Sequence, residues 1–222
     1  FDFLTPGLLG RLPALDGAVG RAQLEPETLD AIARTLRPLI LRRTKGEVLQ
    51  DLPPKQEQTL LCELSGPERK RYDELRDHYR QALRPSLDGA RGSAVAGSKI
   101  LVLEALLRLR QAALHPELLL RRPTRAKSAK VGLLLDRLEE VIAEGHKALV
   151  FSQFVRLLDL LEREIERRGW RYERLDGRTR HRQRRVERFQ GDPEIRLFLI
   201  SLKAGGTGLN LTAASYVFLL DP

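Results

Sequence analysis

With 222 residues, 42% of them hydrophobic and 31% charged, the chain is long enough for one large domain or two small ones, each burying a core. No apolar run approaches the roughly 20 residues that cross a bilayer, and FDFLTPGLLG lacks the basic flank and cleavage site of an export signal, so an intracellular protein is expected, cytoplasmic, nucleoid-bound or nuclear, with no membrane partner. The net charge of +9 directs it towards polyanions, and much of that charge lies in one cluster, RGWRYERLDGRTRHRQRRVERF from Arg168 to Phe189.

The single cysteine, Cys62, can form neither an internal disulfide nor a zinc cluster with His78, His115, His146 and His181, and is expected as a buried thiol. The absence of any methionine implies a piece of a longer protein.

Residues 1–25, rich in Gly, Pro and Leu without a period, read as a connecting segment. Pro26 opens a helix with Leu29, Ile32, Ala33 and Leu36 on one apolar face. After LILRRTKGEVLQDLPPK, the segment QTLLCEL predicts a strand. Ser65 and Glu68 form a capping-box pair that starts a charged helix through about Leu83, and Ser86 to Gly97, small and polar, predicts a loop. A further helix runs from Ser98 to His115, where Pro116 stops it. Residues 26–120 are therefore expected to be mainly helical, and RRPTRAK marks the boundary to residues 121–222.

From Ser128 onwards apolar strands alternate with helices. The order is a capped helix to Gly145, strand KALVF, a helix ending at Gly169, strand YERL, a short arginine-rich helix to Phe189, then strands IRLFLIS and YVFLLD. Fully apolar strands joined through helices of ten to fifteen residues predict an α/β fold, a doubly wound parallel sheet covered on both faces. Ligands of such sheets bind beyond the carboxyl ends of the strands. Three polar segments fall there: Ser152-Gln153-Phe154, Asp176-Gly177-Arg178-Thr179, and SLKAGGTGLN from Ser201 to Asn210. Hydroxyls, unobstructed backbone N–H groups and helix N-termini suit phosphate, although each segment alone is also an ordinary turn. GGTG at Gly205 to Gly208 matches neither the dinucleotide nor the Walker pattern, Asp73-Glu74 reads as a solvated helix face, and Trp170 as a packing residue.

Taken together, these residues carry a resemblance. SLKAGGTGLNLTAASYVFLLDP resembles motif V of the Swi/Snf family of DNA translocases, and VFSQF at Val150 to Phe154 resembles its motif IV. LDGRT with Arg182, Gln183 and RFQ is similar to the segment between them, LILRRTKGEVLQDLPPK to the link between the two motor lobes, and LLRLRQAALHP to a helix of the family's helical insertion. The resemblance implies that 1–25 connects from a first lobe, 26–120 holds the link and insertion, and 121–222 is a RecA-like second lobe. ATP would lie in the cleft between lobes, with Mg2+ held by the first, and double-stranded DNA would run across both. It implies that Gly206, Gly208 and Asn210 face the nucleotide. Ser152, Gln153, Gly177, Arg178, Thr179, Arg182, Ser201, Lys203 and Gly205 would hold the phosphates of one DNA strand, contacts independent of base sequence.

The sequence holds neither a Walker loop nor a DExH box, and the arginine fingers of motif VI are expected beyond Pro222, so these residues alone are expected not to hydrolyse ATP and contain no catalytic residue or metal ligand. The partners implied are duplex DNA, the first lobe of the same protein, and a DNA-bound protein to be displaced. A degenerate binding module that has lost its motor and an RNA helicase are the alternatives.

Overall fold

The computed structural model describes residues 4–7, 26–43, 55–87, 93–120, 124, 126–205 and 208–221. The chain divides into two compact units, Phe1–Thr59 and Leu60–Pro222. In the first, α1 (Pro26–Leu36) opens at proline as its fixed φ favours and passes into a 3-10 turn, Arg37–Leu39. Its apolar face is only partly covered: Ile32 and Leu36 are half-buried, whereas Leu29 and Ala33 are exposed.

The second unit begins with a departure from expectation, because among the described residues no strand pairs with Leu60 to Leu64. Cys62 there is half-exposed and not a buried thiol. Then α2 (Gly66–Leu87) starts at the capping box: the Glu68 carboxylate accepts the Ser65 N–H at 2.9 Å and the Ser65 hydroxyl at 2.6 Å. The helix runs past Leu83, and α3 (Ser93–Leu114) begins five residues before the expected Ser98, so most of the predicted Ser86–Gly97 loop is helical. Ala94 and Ala96 are strong helix formers, a preference that reading this stretch as small and polar overlooks. His115 interrupts the chain before a short α4 (Pro116–Leu120).

Four parallel strands in the order β2-β3-β1-β4 form the sheet: β1 (Ala148–Ser152), β2 (Arg171–Leu175), β3 (Ile195–Ser201) and β4 (Tyr216–Leu219). On one face α5 (Ala129–Ala143) and α6 (Val155–Arg167) bury Leu134, Leu138, Leu157, Leu161 and Ile165 against Val150 and Leu199. On the other, α7 (Arg182–Gly191) buries Val186 and Phe189 against Phe198 and Ile200. The doubly wound arrangement anticipated from the apolar strands is therefore present.

Helix α5 starts at Ser128, whose hydroxyl accepts the Val131 N–H at 3.3 Å and donates to the Leu114 carbonyl at 2.6 Å, so the cap also fastens the end of α3. Both α5 and α6 end alike. Gly145 (φ +81°) and Gly169 (φ +70°) take the left-handed conformation, and the paired bonds Gly145 N–H to Ile142, His146 to Val141, Gly169 to Glu166 and Trp170 to Ile165 close the last turns and direct the chain into β1 and β2. Among the described residues no helix is long and apolar enough to cross a membrane.

Candidate nucleic-acid and nucleotide interface

All four strands end on one rim, and the polar segments singled out above follow β1, β2 and β3 there. Parallel pairing sets Ser152 of β1 beside Ser201 of β3. Both side chains are buried and their hydroxyls serve the turn that follows: Ser152 accepts the Phe154 N–H at 3.0 Å and Ser201 the Ala204 N–H at 3.3 Å. Between these turns the Gln153 N–H donates to Asp221 at 2.8 Å, and the Gln153 side-chain nitrogen is buried with no hydrogen-bond partner among the described residues.

After β2 the chain makes a tight turn around Asp176. Its carboxylate accepts the Arg178 N–H at 2.8 Å and pairs with Arg174 at 2.8 Å, while the Thr179 hydroxyl accepts the Asp176 N–H at 2.9 Å. Burial alone pushes the Asp176 carboxyl up, but these donors outweigh it and hold it below the usual carboxylate range. The turn thereby consumes Asp176 and Thr179 internally and leaves Gly177 and Arg178 exposed at its tip. His181, in the left-handed region at φ 55°, then turns the chain into α7.

After β3 a four-residue helix, α8 (Leu202–Gly205), exposes Lys203 and buries Ala204. Gly205 is there for space: a Cβ would lie 2.8 Å from the Phe151 ring and 3.1 Å from Ile200 Cγ2. Gly206 lies outside the described residues. Gly208, at φ +69°, and Asn210 are exposed beside an open cavity of about 600 Å³ lined by Gln183, Val186, Glu187, Gln190, Gly208 and Asn210, among others.

Charge on this rim is more selective than the arginine run suggests. Arg185 and Arg188 both pair with Glu173, which is 1% exposed, at 2.7 and 3.0 Å, and Arg174 is neutralised by Asp159, Glu162 and Asp176. Among the described residues no carboxylate pairs with Arg178, Arg180, Arg182, Arg184 or Lys203. All five are exposed, and the Arg182 guanidinium donates to the Ala204 carbonyl. Among the described residues of this rim, unneutralised cations thus concentrate after β2, at the start of α7 and after β3.

Of the twelve residues predicted for the two ligands, the fold gathers the nine predicted for DNA on the turns after β1, β2 and β3 and at the start of α7. It places Gly208 and Asn210 in the loop that runs along α7, with the Asn210 carbonyl held by Gln190 at the far end of that helix, and leaves Gly206 undescribed. It divides the eleven described ones into exposed groups, Gly177, Arg178, Arg182, Lys203, Gly208 and Asn210, groups that shape the turns, Ser152, Ser201, Thr179 and Gly205, and the half-buried Gln153, whose backbone N–H is held by Asp221. Three contributors escaped sequence reasoning: Asp221, which holds Gln153; Glu173, which neutralises two arginines; and Gln190, which binds the loop after Gly208. Only Gln190 carried a signal, in the RFQ that closes the arginine-rich helix. Among the described residues no group of three or more His, Cys, Asp or Glu is placed to hold a metal ion.

Comparison with known proteins matches residues 1–118 to the SNF2-related domain and residues 130–222 to the helicase conserved C-terminal domain. The chain is 36% identical over 210 residues to chromodomain-helicase-DNA-binding protein 1-like of Danio rerio, covering 90% of this chain and 20% of that protein. It is 31% identical over 251 residues to the DNA repair and recombination protein RAD26 of Saccharomyces cerevisiae, covering all of this chain and 22% of that one. The chain therefore spans about a fifth of the length of these relatives. Among solved structures, the SWI2/SNF2 ATPase core of Sulfolobus solfataricus in complex with dsDNA superposes with a TM-score of 0.66 at 26% identity, over 99% of this chain and 47% of that one. The C-terminal domain of the same ATPase gives 0.62 at 27% identity, over 72% and 68%.

Proposed function

Because the chain belongs to the SNF2-related family, whose solved ATPase lobes share its RecA-like fold, we propose that it supplies the second lobe of a motor that couples ATP hydrolysis to movement along double-stranded DNA. The observation that carries this reading is the set of unneutralised cations, Arg178, Arg180, Arg182, Arg184 and Lys203, on the rim from which the loop bearing Gly208 and Asn210 departs. Cations spaced along a rim attract a phosphate backbone without reading bases, which suits a protein that must occupy every position along a duplex.

In this reading Arg178, Arg182 and Lys203 neutralise phosphates, Gly177 lets the backbone approach, and Gln153 offers its amide beside them. Ser152, Ser201, Thr179 and Gly205 hold the turns that present these groups. Gly208 and Asn210, with Gly206, face ATP across the cleft to a first lobe. Their features suit that role: a left-handed glycine puts no Cβ in the way of a ligand, and Asn210 offers both a donor and an acceptor to a ribose. ATP when bound supplies the free energy for movement. This chain binds and orients, while Mg2+ and the Walker residues belong to the first lobe. Residues 1–25 lead in from that lobe, 26–120 form the link and helical insertion, and 121–222 the second lobe. The 222 residues by themselves then hydrolyse no ATP. One relative is named a chromatin-remodelling factor and another a DNA repair and recombination protein, which supports a DNA-bound protein as the object displaced, in nucleus or nucleoid.

The test is ATP hydrolysis by the full-length protein with and without duplex DNA, with RNA as a separate activator. Duplex DNA is expected to stimulate and RNA not. Arg182→Ala and Lys203→Ala are each expected to weaken the stimulation and to reduce the slope of log affinity for DNA against log salt by about 0.9, one phosphate contact. Stimulation and slope unchanged in both variants would refute the assignment of these residues.

A further inference from the structure

Helix α7 holds the loop after β3 at two points. At its start the Arg182 guanidinium donates to the Ala204 carbonyl. At its end Gln190 commits its whole carboxamide to residues 210–213: Nε2 donates to the Asn210 carbonyl and to the Thr212 hydroxyl oxygen, each at 3.2 Å, and Oε1 accepts the Ala213 N–H at 2.7 Å. Among the described residues, no other side chain hydrogen-bonds to residues 208–214. The helix between these points is stiffened by the buried Val186 and Phe189 and by the pairing of Arg185 and Arg188 with Glu173 of β2. Eight residues separate Arg182 from Gln190, about 12 Å along a helix axis.

We infer that Gln190 is a positioning residue that couples the two ligand surfaces: when Arg182 engages a DNA phosphate, the shift of α7 reaches the backbone of Asn210 through the Gln190 carboxamide. The inference rests on the motor reading above. A phosphate at Arg182 shares the guanidinium with the Ala204 carbonyl and draws on its remaining donors, so DNA binding bears on the first hold, and the second is the route from helix to loop. The carboxamide suits the task because it donates to a carbonyl and accepts from an N–H on one stretch of backbone, which fixes both the position and the tilt of that stretch. Leucine offers neither function, and glutamate keeps the acceptor for Ala213 while setting a negative oxygen against the Asn210 carbonyl.

The experiment measures the affinity of the full-length protein for a fluorescent ATP analogue with and without saturating duplex DNA, in the wild type, Gln190→Leu and Gln190→Glu. Coupled sites typically change one another's affinity about 5- to 150-fold, and the wild-type ratio is expected in that range. In both variants it is expected to fall to within about twofold of one. A purely structural contribution would scale both affinities together and preserve the ratio, so a wild-type ratio in either variant overturns the inference. A wild-type protein whose nucleotide affinity and ATP turnover both ignore DNA overturns the motor reading itself, a distinguishable failure. Because Gln190→Glu preserves the side-chain volume and the bond to Ala213, the ratio remains readable even where Gln190→Leu folds poorly.

Discussion

A single carboxylate, that of Glu68, caps two helices. Its Oε2 accepts the Ser65 N–H and hydroxyl at the start of α2, and its Oε1 accepts the Ala129 N–H at 3.1 Å, at the start of α5. The side chain is 4% exposed, so no water replaces these bonds without rearrangement. Removing it by Glu68→Ala leaves donors at both helix ends unpaired. A lost cap costs about 0.5–2 kcal/mol, and a bond to a charged acceptor about 1.5–3 kcal/mol, so about 3 kcal/mol is a reasonable total. At about 2–4 °C per kcal/mol for a unit of this size, the melting midpoint followed by circular dichroism at neutral pH should drop by about 6–12 °C. Glu68→Gln keeps an acceptor oxygen but loses the charge, and should cost about half as much. Burial pushes the Glu68 carboxyl up, but the bonds from Ser65 and Ala129 outweigh it and the folded-state pKa lies below the usual 4.5. A depressed carboxyl pKa contributes stability that is complete above the unfolded value and is lost as pH falls through the folded one. The gap between wild type and Glu68→Gln should therefore narrow below pH 4.5. A midpoint for Glu68→Ala within about 1 °C of wild type at neutral pH would refute the double-cap account.

Gly205→Ala places a methyl 2.8 Å from the Phe151 ring and should destabilise by about 1–3 kcal/mol in urea titration, with Phe151→Leu in the same chain recovering part of the loss. His115 is buried, and its Nδ1 accepts the Glu117 N–H at 3.1 Å. Burial depresses its pKa below the usual 6.5, Arg163 works in the same direction, and Glu117, Glu68 and Glu164 oppose. Folding thus favours the neutral ring, and the unfolded chain binds the extra proton. Stability should decline as pH falls below 6.5, and His115→Gln should flatten that decline in denaturant titrations across the window.

The strands were legible because burial on both faces writes itself as continuous apolar runs, and KALVF and IRLFLIS are such runs. Gly145, Gly169 and the Ser65–Glu68 box were legible because helix ends are settled within a few residues. QTLLCEL misled for the opposite reason: a strand exists only where another strand pairs with it, and no local pattern reveals whether one does. The same holds for Cys62, whose apolar neighbours Leu60 and Leu61 are themselves exposed.

The candidate site divides along that line. The sequence by itself determined the parallel α/β architecture, the rim on which the polar segments fall and the family resemblance, since all three depend on periodicity and short motifs. Which cations remain available was decided only by the tertiary structure. Arg185 and Arg188 look no different in sequence from Arg182 and Arg184, yet the first two are neutralised by Glu173 on a neighbouring strand. Ser152 and Ser201 read as phosphate-facing hydroxyls in the sequence, and the fold adds that each accepts a backbone N–H of the turn that follows it. Gln190 reaches the Asn210–Ala213 loop from 20 or more residues away. Ion pairs and hydrogen bonds act over about 3 Å in space. Charge composition gives their sum, and only the packing of distant segments assigns their partners.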